Sequence, residues 1–263
     1  MSHLRCLYRL TCLFLWTSML LVPVISYGFA GWRGRRGISR VINLWARGVA
    51  KIINLRIKIC GDIPDVPAGL VVSNHAGYVD IITHGAVFPP RFAPSAEIAG
   101  WPVLGRIVAL TDPVWVDRGL RASAKKVSRD FAKTMKRGMY LIVYPEGTST
   151  DGRGDILPFK STSFEAAIAG DVPVLPVVTR YHEDPDRPTV CWYGDMTFFP
   201  HFLRVLKLPY IEAELRFLPP VFPEGRNRKE LASAVHGMMM QEWSSSRREN
   251  RDATDMNAAG FVI

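Results

Sequence analysis

Residues 69–80 read GLVVSNHAGYVD. A run of apolar residues stops at Ser73, two polar side chains follow at once, and a helical stretch then leads to Val87. A short apolar run bounded by polar residues suits a buried strand in a layered sheet. The same grammar returns at residues 140–150, YLIVYPEGTST. There an apolar strand, Tyr140–Tyr144, is halted by Pro145 and followed by Glu146, Gly147 and three hydroxyl residues. Where strands alternate with helices, functional groups collect at the strand ends.

Reading outward, strands are expected at 54–60, 92–93, 113–116, 174–179, 189–193 and 212–217. Helices are expected at 101–109, 123–136, 164–169 (closed by Gly170) and 229–243. Residues 31–60 carry Ile42, Leu44, Trp45, Val49, Ile52 and Ile53 at roughly helical spacing, with Arg47 and Lys51 between them, as in an amphipathic helix. The alternation argues for an α/β fold: a single layered domain with a central mixed sheet flanked by helices, plus an N-terminal membrane-associated helical segment. The expected division is residues 1–50 as membrane anchor and basic segment, 51–225 as the main domain, and 226–263 as a C-terminal helix with a loose tail from Ser244.

From Leu10 to Ala30 the chain has no charged residue. About 20 apolar residues are enough to cross the hydrocarbon core as a helix. Arg33, Arg35, Arg36 and Arg40 follow. By the positive-inside rule they stay cytoplasmic and the extreme N-terminus lies outside, although Arg5 and Arg9 on the other flank oppose this orientation. Pro23 is placed to divide the stretch with a kink, as suits an interfacial or re-entrant anchor. The alternative is a cleaved signal peptide with Gly28-Phe29-Ala30 at its cleavage site, but the apolar stretch is long for that role. The formal charge of +9, from 33 Lys+Arg against 24 Asp+Glu, calls for an anionic partner. Its basic residues are spread along the chain, so anionic membrane lipid is the better fit and nucleic acid the poorer one. Cys6, Cys12, Cys60 and Cys191 form no metal-ligand spacing and no disulfide framework, and no metal site is expected.

Four short stretches bear on chemistry. His75 can take a proton near neutral pH, and Asp80 can hold its other ring nitrogen. An offset of five is a poor match on one regular helix. The pair works if His75 precedes the helix and Asp80 stands on its first turn; otherwise Asn74 is a helix cap and His75 an ordinary surface residue. Glu146, Gly147 and Thr148 either cradle an anion with their amides and hydroxyl or form a plain turn. Arg118 ends the segment VWVDR as a phosphate ligand or a partner of Asp117. VPVLPV at 172–177 reads as core or sheet edge.

In this order, NH-x4-D, a segment ending in Arg, P-E-G-T and V-P-V-x-P-V resemble the lysophosphatidic acid and glycerol-phosphate acyltransferase family, over roughly Asn54 to Phe222. The resemblance implies transfer of a fatty acyl group from acyl-CoA or acyl carrier protein to a lysophospholipid hydroxyl, in phospholipid biosynthesis. The expected location is the cytoplasmic face of the inner (plasma) membrane, and no further cofactor is expected. The resemblance makes His75 the general base and Asp80 its orienting partner. Asn74, Arg118, Glu146, Gly147, Thr148 and Lys160 would bind substrate, and 172–177 would help to form an acyl pocket. One departure stands out: the family usually reads F-P-E-G-T-R-S, and here Tyr144 replaces Phe and Ser149 replaces Arg. Arg118, Arg153 or Lys160 would have to replace that guanidinium, or else the acceptor is a different lysolipid such as a lyso-aminolipid. Outside this family, a lipid hydrolase lacks its G-x-S-x-G elbow, and a non-catalytic membrane-surface lipid-binding protein is the competing reading.

Overall fold

A computed structural model of the chain describes residues 2–116, 121–184 and 186–252. Its helices are α1 (Ser2–Gly28), α2 (Gly31–Ile53), α3 (Val79–Val87), α4 (Leu104–Leu110), α5 (Arg121–Lys136), α6 (Glu165–Gly170), α7 (Phe198–Lys207) and α8 (Arg228–Asp252). The strands are β1 (Leu55–Cys60), β2 (Gly69–Ser73), β3 (Pro90–Phe92), β4 (Tyr140–Val143), β5 (Val174–His182) and β6 (Ile211–Phe217). Among the described residues these strands form one sheet in the order β1-β6-β5-β2-β4-β3. It is the expected mixed α/β sheet: β5 and β6 are antiparallel and the remaining neighbours parallel.

Side chains alternate between two cores. Val71, Ile142, Leu175 and Val177 face a layer made by α2, α3 and α7. Leu70, Val72, Leu141, Val143, Val174 and Val178 face α5, α6 and α8. Strands covered on both faces have to be apolar throughout, hence LVV and LIV. The segment 172–177 therefore leads into β5 at the centre of the sheet, with Val174, Leu175 and Val177 fully buried in the core. β5 is long enough to serve two neighbours. Its first half pairs with β2 as far as Ser73↔Val177, and its second half pairs with β6. So β5 outruns β2, and Thr179 and Tyr181 stand beyond the end of β2, where the site lies.

Several expectations are corrected. Residues 113–116 make only an isolated bridge, Ser95↔Val116. The segment 189–193 is not a strand, because its amides are engaged elsewhere: Val190 N–H donates to Glu183 Oε1 at 2.7 Å and Trp192 N–H to the Ala76 carbonyl at 2.8 Å. The helix expected at 101–109 begins only at Leu104, and Ala96–Gly100 forms a 3-10 turn before it. Asp171, left-handed at φ 50°, closes α6 in place of Gly170. α7 was not foreseen. It opens on Thr197, with Pro200 in its first turn, where a missing N–H costs nothing. α8 continues past Trp243, since Ser244, Ser245 and Ser246 donate back to carbonyls four residues earlier and stay in the helix. The rest of the expected loose tail, 253–263, lies outside the described residues.

α1 is long and apolar enough to cross a membrane. It runs unbroken through Pro23, supported by α2 alongside. Trp16 Nε1 donates to the Trp45 carbonyl at 3.1 Å, and Trp45 Nε1 donates to Thr17 Oγ1 at 3.0 Å. Near its start, Arg9 is buried and donates to the carbonyls of Leu206, Leu208 and Pro209 at 3.1, 2.6 and 3.2 Å, closing the C-terminal end of α7. Arg35 pairs with Asp112 at 2.7 Å, and Arg36 donates to the Arg137 carbonyl. The α1–α2 pair thus lies along the domain.

Candidate active site

β2 ends at Ser73, and the chain turns through 74–78 before α3 begins at Val79. His75 therefore precedes the helix and Asp80 stands in its first turn. His75 Nδ1 lies 2.7 Å from Asp80 Oδ2. The same oxygen accepts the N–H groups of Ala76 and Gly77 at 2.7 and 3.1 Å. Tyr181 donates to the other oxygen, Oδ1, at 2.7 Å. Asp80 is fully buried. Burial alone would raise its pKa, but the hydrogen bond and charge of His75, then the nearby His84 and the Tyr181 hydroxyl, outweigh it. Asp80 is held below its ordinary range and stays ionised. An ionised carboxylate only accepts, so Nδ1 carries the proton and Nε2 presents a lone pair. The His75 side chain is 21% exposed, and among the described residues Nε2 has no hydrogen-bond partner. Tyr144 stacks on the ring, with centroids 4.2 Å apart.

The loop after β4 comes to the same place. Glu146 Oε1 accepts the His75 backbone N–H at 2.7 Å, and Oε2 accepts the Leu157 N–H at 3.0 Å. Burial raises the Glu146 pKa, against the pull of those two amides. Thr150 N–H donates to the His75 carbonyl at 2.9 Å. Gly147 has φ 74°, where a side chain is strained, and a Cβ there would lie 2.3 Å from Lys160 Nζ. Lys160 thus lays its ammonium over Gly147. Thr148 is exposed on the loop. Ser149, at the position of the missing guanidinium, donates its hydroxyl to the Trp192 carbonyl. Asn74 is buried and clamps β5: its Nδ2 donates to the Thr179 carbonyl at 2.9 Å, and its Oδ1 accepts the Thr179 N–H at 2.8 Å. Arg118 lies outside the described residues. The structure therefore gathers His75, Asp80, Glu146, Gly147 and Lys160, while the side chains of Asn74 and Glu146 are committed to backbone groups.

A second layer of buried polar groups, invisible to sequence reading, lies behind the dyad. His84 Nδ1 faces the Asp80 carbonyl at 2.8 Å and the Tyr144 hydroxyl at 3.1 Å; its Nε2 faces Thr179 Oγ1 at 3.0 Å. Burial lowers its pKa. Neutral His84 therefore donates through Nδ1 and accepts from Thr179, whose oxygen in turn lies 2.8 Å from Ser73 Oγ. Among the described residues no group of three or more His, Cys, Asp or Glu is arranged to hold a metal ion.

An outward-facing imidazole backed by a buried carboxylate is an arrangement for removing a proton from a hydroxyl. A family model described as Acyltransferase matches residues 56–180. A lyso-ornithine lipid O-acyltransferase of Brucella abortus is 33% identical, covering 83% of this chain and 86% of its own length. The chain belongs to this acyltransferase family. The acyltransferase is also 32% identical to a 1-acyl-sn-glycerol-3-phosphate acyltransferase of Neisseria meningitidis, over 57% of this chain and 59% of that one. Its fold is shared with the 1-acyl-sn-glycerophosphate acyltransferase PlsC of Thermotoga maritima. That structure superposes with a TM-score of 0.64 at 21% identity, over 94% of this chain and 98% of the other.

Proposed function

We propose that this acyltransferase moves a fatty acyl group from a thioester carrier, acyl-CoA or an acyl carrier protein, to the hydroxyl of a lyso-ornithine-type lipid. The observation that carries the chemistry is His75 itself, with Nδ1 held by Asp80 and Nε2 open. Nε2 takes the proton of the acceptor hydroxyl as its oxygen attacks the thioester carbonyl. The carbon–sulfur bond then breaks, and the thiolate leaves with the proton returned by the imidazolium. The step balances without a cofactor, and base catalysis of this kind is worth about 10²–10⁴-fold. Asp80 orients the ring and offsets its transient charge. Glu146 and Asn74 hold the backbone that presents it, while the exposed Thr148 and the Lys160 ammonium over Gly147 serve the acceptor head group.

Two observations favour an amino-acid head group over a phosphate. The guanidinium position is Ser149, whose hydroxyl serves Trp192. The lyso-ornithine relative is also 33% identical over 83% of this chain, whereas a 1-acyl-sn-glycerol-3-phosphate acyltransferase of Mus musculus that spans a similar share, 86%, is 27% identical. Ornithine carries an amine beside its carboxylate, so it asks for less fixed positive charge than a phosphomonoester does. The exposed side chains of α1, among them Leu7, Phe14, Leu15, Met19 and Val22, form an apolar surface on a helix bound lengthwise to the domain. That surface suits a helix lying in the cytoplasmic leaflet beside anionic lipid.

Purified wild type and His75→Ala, offered labelled acyl thioesters of both carriers and a panel of lyso-acceptors, test the reading. Product from wild type alone, greatest with lyso-ornithine lipid, supports it. Equal product from both proteins sinks the base assignment, and a preference for lysophosphatidic acid sinks the acceptor assignment.

A further inference from the structure

β5 outruns β2, and its Tyr181 reaches over the end of the sheet to Asp80. The two oxygens of that carboxylate are unequally served. Oδ2 accepts from His75, Ala76 and Gly77, whereas among the described residues Oδ1 accepts from Tyr181 alone. The phenol is itself located: its one proton goes to Asp80, so the Thr83 hydroxyl, 3.0 Å away, is the donor to its oxygen. We propose that Tyr181 is a positioning residue of the acyl transfer: its hydrogen bond fixes the plane of the Asp80 carboxylate and limits how tightly that carboxylate holds His75. The inference rests on the reading of His75 as the base.

The physical case follows from where charge sits. A donor on Oδ1 draws negative charge away from Oδ2, so Oδ2 becomes a weaker acceptor for the His75 Nδ1–H. Removing the donor concentrates charge on Oδ2 and leaves Oδ1 unsatisfied in a fully buried site, an expensive state for a carboxylate oxygen. His75 is then held harder in its charged form and returns its proton to the leaving thiolate less readily. Burial, and then the Asp80 charge, push the Tyr181 phenol well above its usual value, so it remains a donor throughout the working pH range. The other titratable groups around Asp80 are His75 in the turn before α3, His84 on α3, Tyr144 and Glu146 beyond β4, and Cys191 after β5. None of them bonds Oδ1.

The test is Tyr181→Phe in the full chain, which deletes one oxygen and keeps the ring. We expect kcat to fall roughly tenfold with KM within about twofold, the size of one lost hydrogen bond to a charged group. The acid limb of the kcat profile should move to higher pH, and the nuclear magnetic resonance signal of the His75 Nδ1 proton should move downfield. A role in packing alone would lower the melting temperature and move neither limb nor signal. That result, or an unchanged kcat, overturns the proposal. Should the variant fail to fold, 3-fluorotyrosine at position 181, a stronger donor, must move the proton signal upfield; an unmoved signal overturns the proposal equally. If wild type transfers no acyl group to any acceptor, the functional reading fails, and the proton signal still decides the role of Tyr181.

Discussion

Glu146 holds His75 by its peptide and leaves its ring free. Oε1 accepts the His75 N–H at 2.7 Å, and Oε2 accepts the Leu157 N–H at 3.0 Å, so one buried carboxylate joins the loop after β2 to two points of the segment after β4. Glu146→Gln turns one acceptor into a donor facing an N–H. Thermal unfolding should show a loss of about 1–3 kcal/mol. Turnover should fall without a matching rise in KM, since the base is displaced and the acceptor contacts remain.

Asp80 and Glu146 make opposite demands on pH. The folded pKa of Asp80 lies below its ordinary 3.8, so its ionisation contributes stability that is complete above that range and is lost as pH falls through the folded value. Glu146 is raised above 4.5, so its ionisation costs stability as pH rises from there through the folded value. The melting-temperature gap between wild type and Asp80→Asn should therefore narrow as pH falls from about 6 to about 3. A gap that stays constant over that range would show that Asp80 gains nothing from its donors.

Ser149→Arg restores the cation that the family pattern usually places there. The ratio of kcat/KM for lysophosphatidic acid to that for lyso-ornithine lipid should rise roughly tenfold or more, as one charge-assisted bond allows. Acyl transfer to a panel of both acceptors measures it; an unchanged ratio would mean that position 149 does not face the head group.

Arg9→Met keeps the side-chain volume and removes three bonds to the end of α7. Denaturant unfolding should record a loss of about 3 kcal/mol. Arg5→Ala removes a single bond, to the Lys207 carbonyl, in a less buried place, and should cost under about 1 kcal/mol.

Replacing Leu7, Phe14 and Leu15 by Ser leaves the fold intact, because these side chains are 62%, 71% and 60% exposed. Each nevertheless gives up roughly 2 kcal/mol of apolar transfer. Flotation with anionic vesicles should show affinity falling at least about a hundredfold; undiminished flotation would remove α1 from the membrane contact.

What was legible in the sequence was local. His75 and Asp80 lie within six residues of each other, and the awkward offset of five already required a histidine ahead of the helix and an aspartate on its first turn. The covered strands were readable because burial on both faces leaves no polar alternation. Tyr181 and Thr179 were not readable, since their place depends on how far β5 extends past β2, a register that no nearby pattern states. Glu146 stood out as an acid beside a glycine, yet its two amide partners lie 71 and 11 residues away. The apolar stretch 10–30 was legible as a membrane segment, but composition cannot reveal that Arg9 beside it is spoken for by carbonyls almost 200 residues further on.

The peptide of His75 is gripped from both sides by one loop: Glu146 takes its N–H, and Thr150 N–H donates to its carbonyl. On the proposed reading, a lineage exploring new acceptors has little freedom to reshape that loop, because any shift of its backbone drags His75 with it. Diversification is channelled into side chains that can change while the backbone stays still. Position 149 is of this kind, its hydroxyl tied, among the described residues, only to the Trp192 carbonyl. If position 149 faces the head group as proposed, preference can drift there by single substitutions while His75 and Asp80 are inherited unaltered.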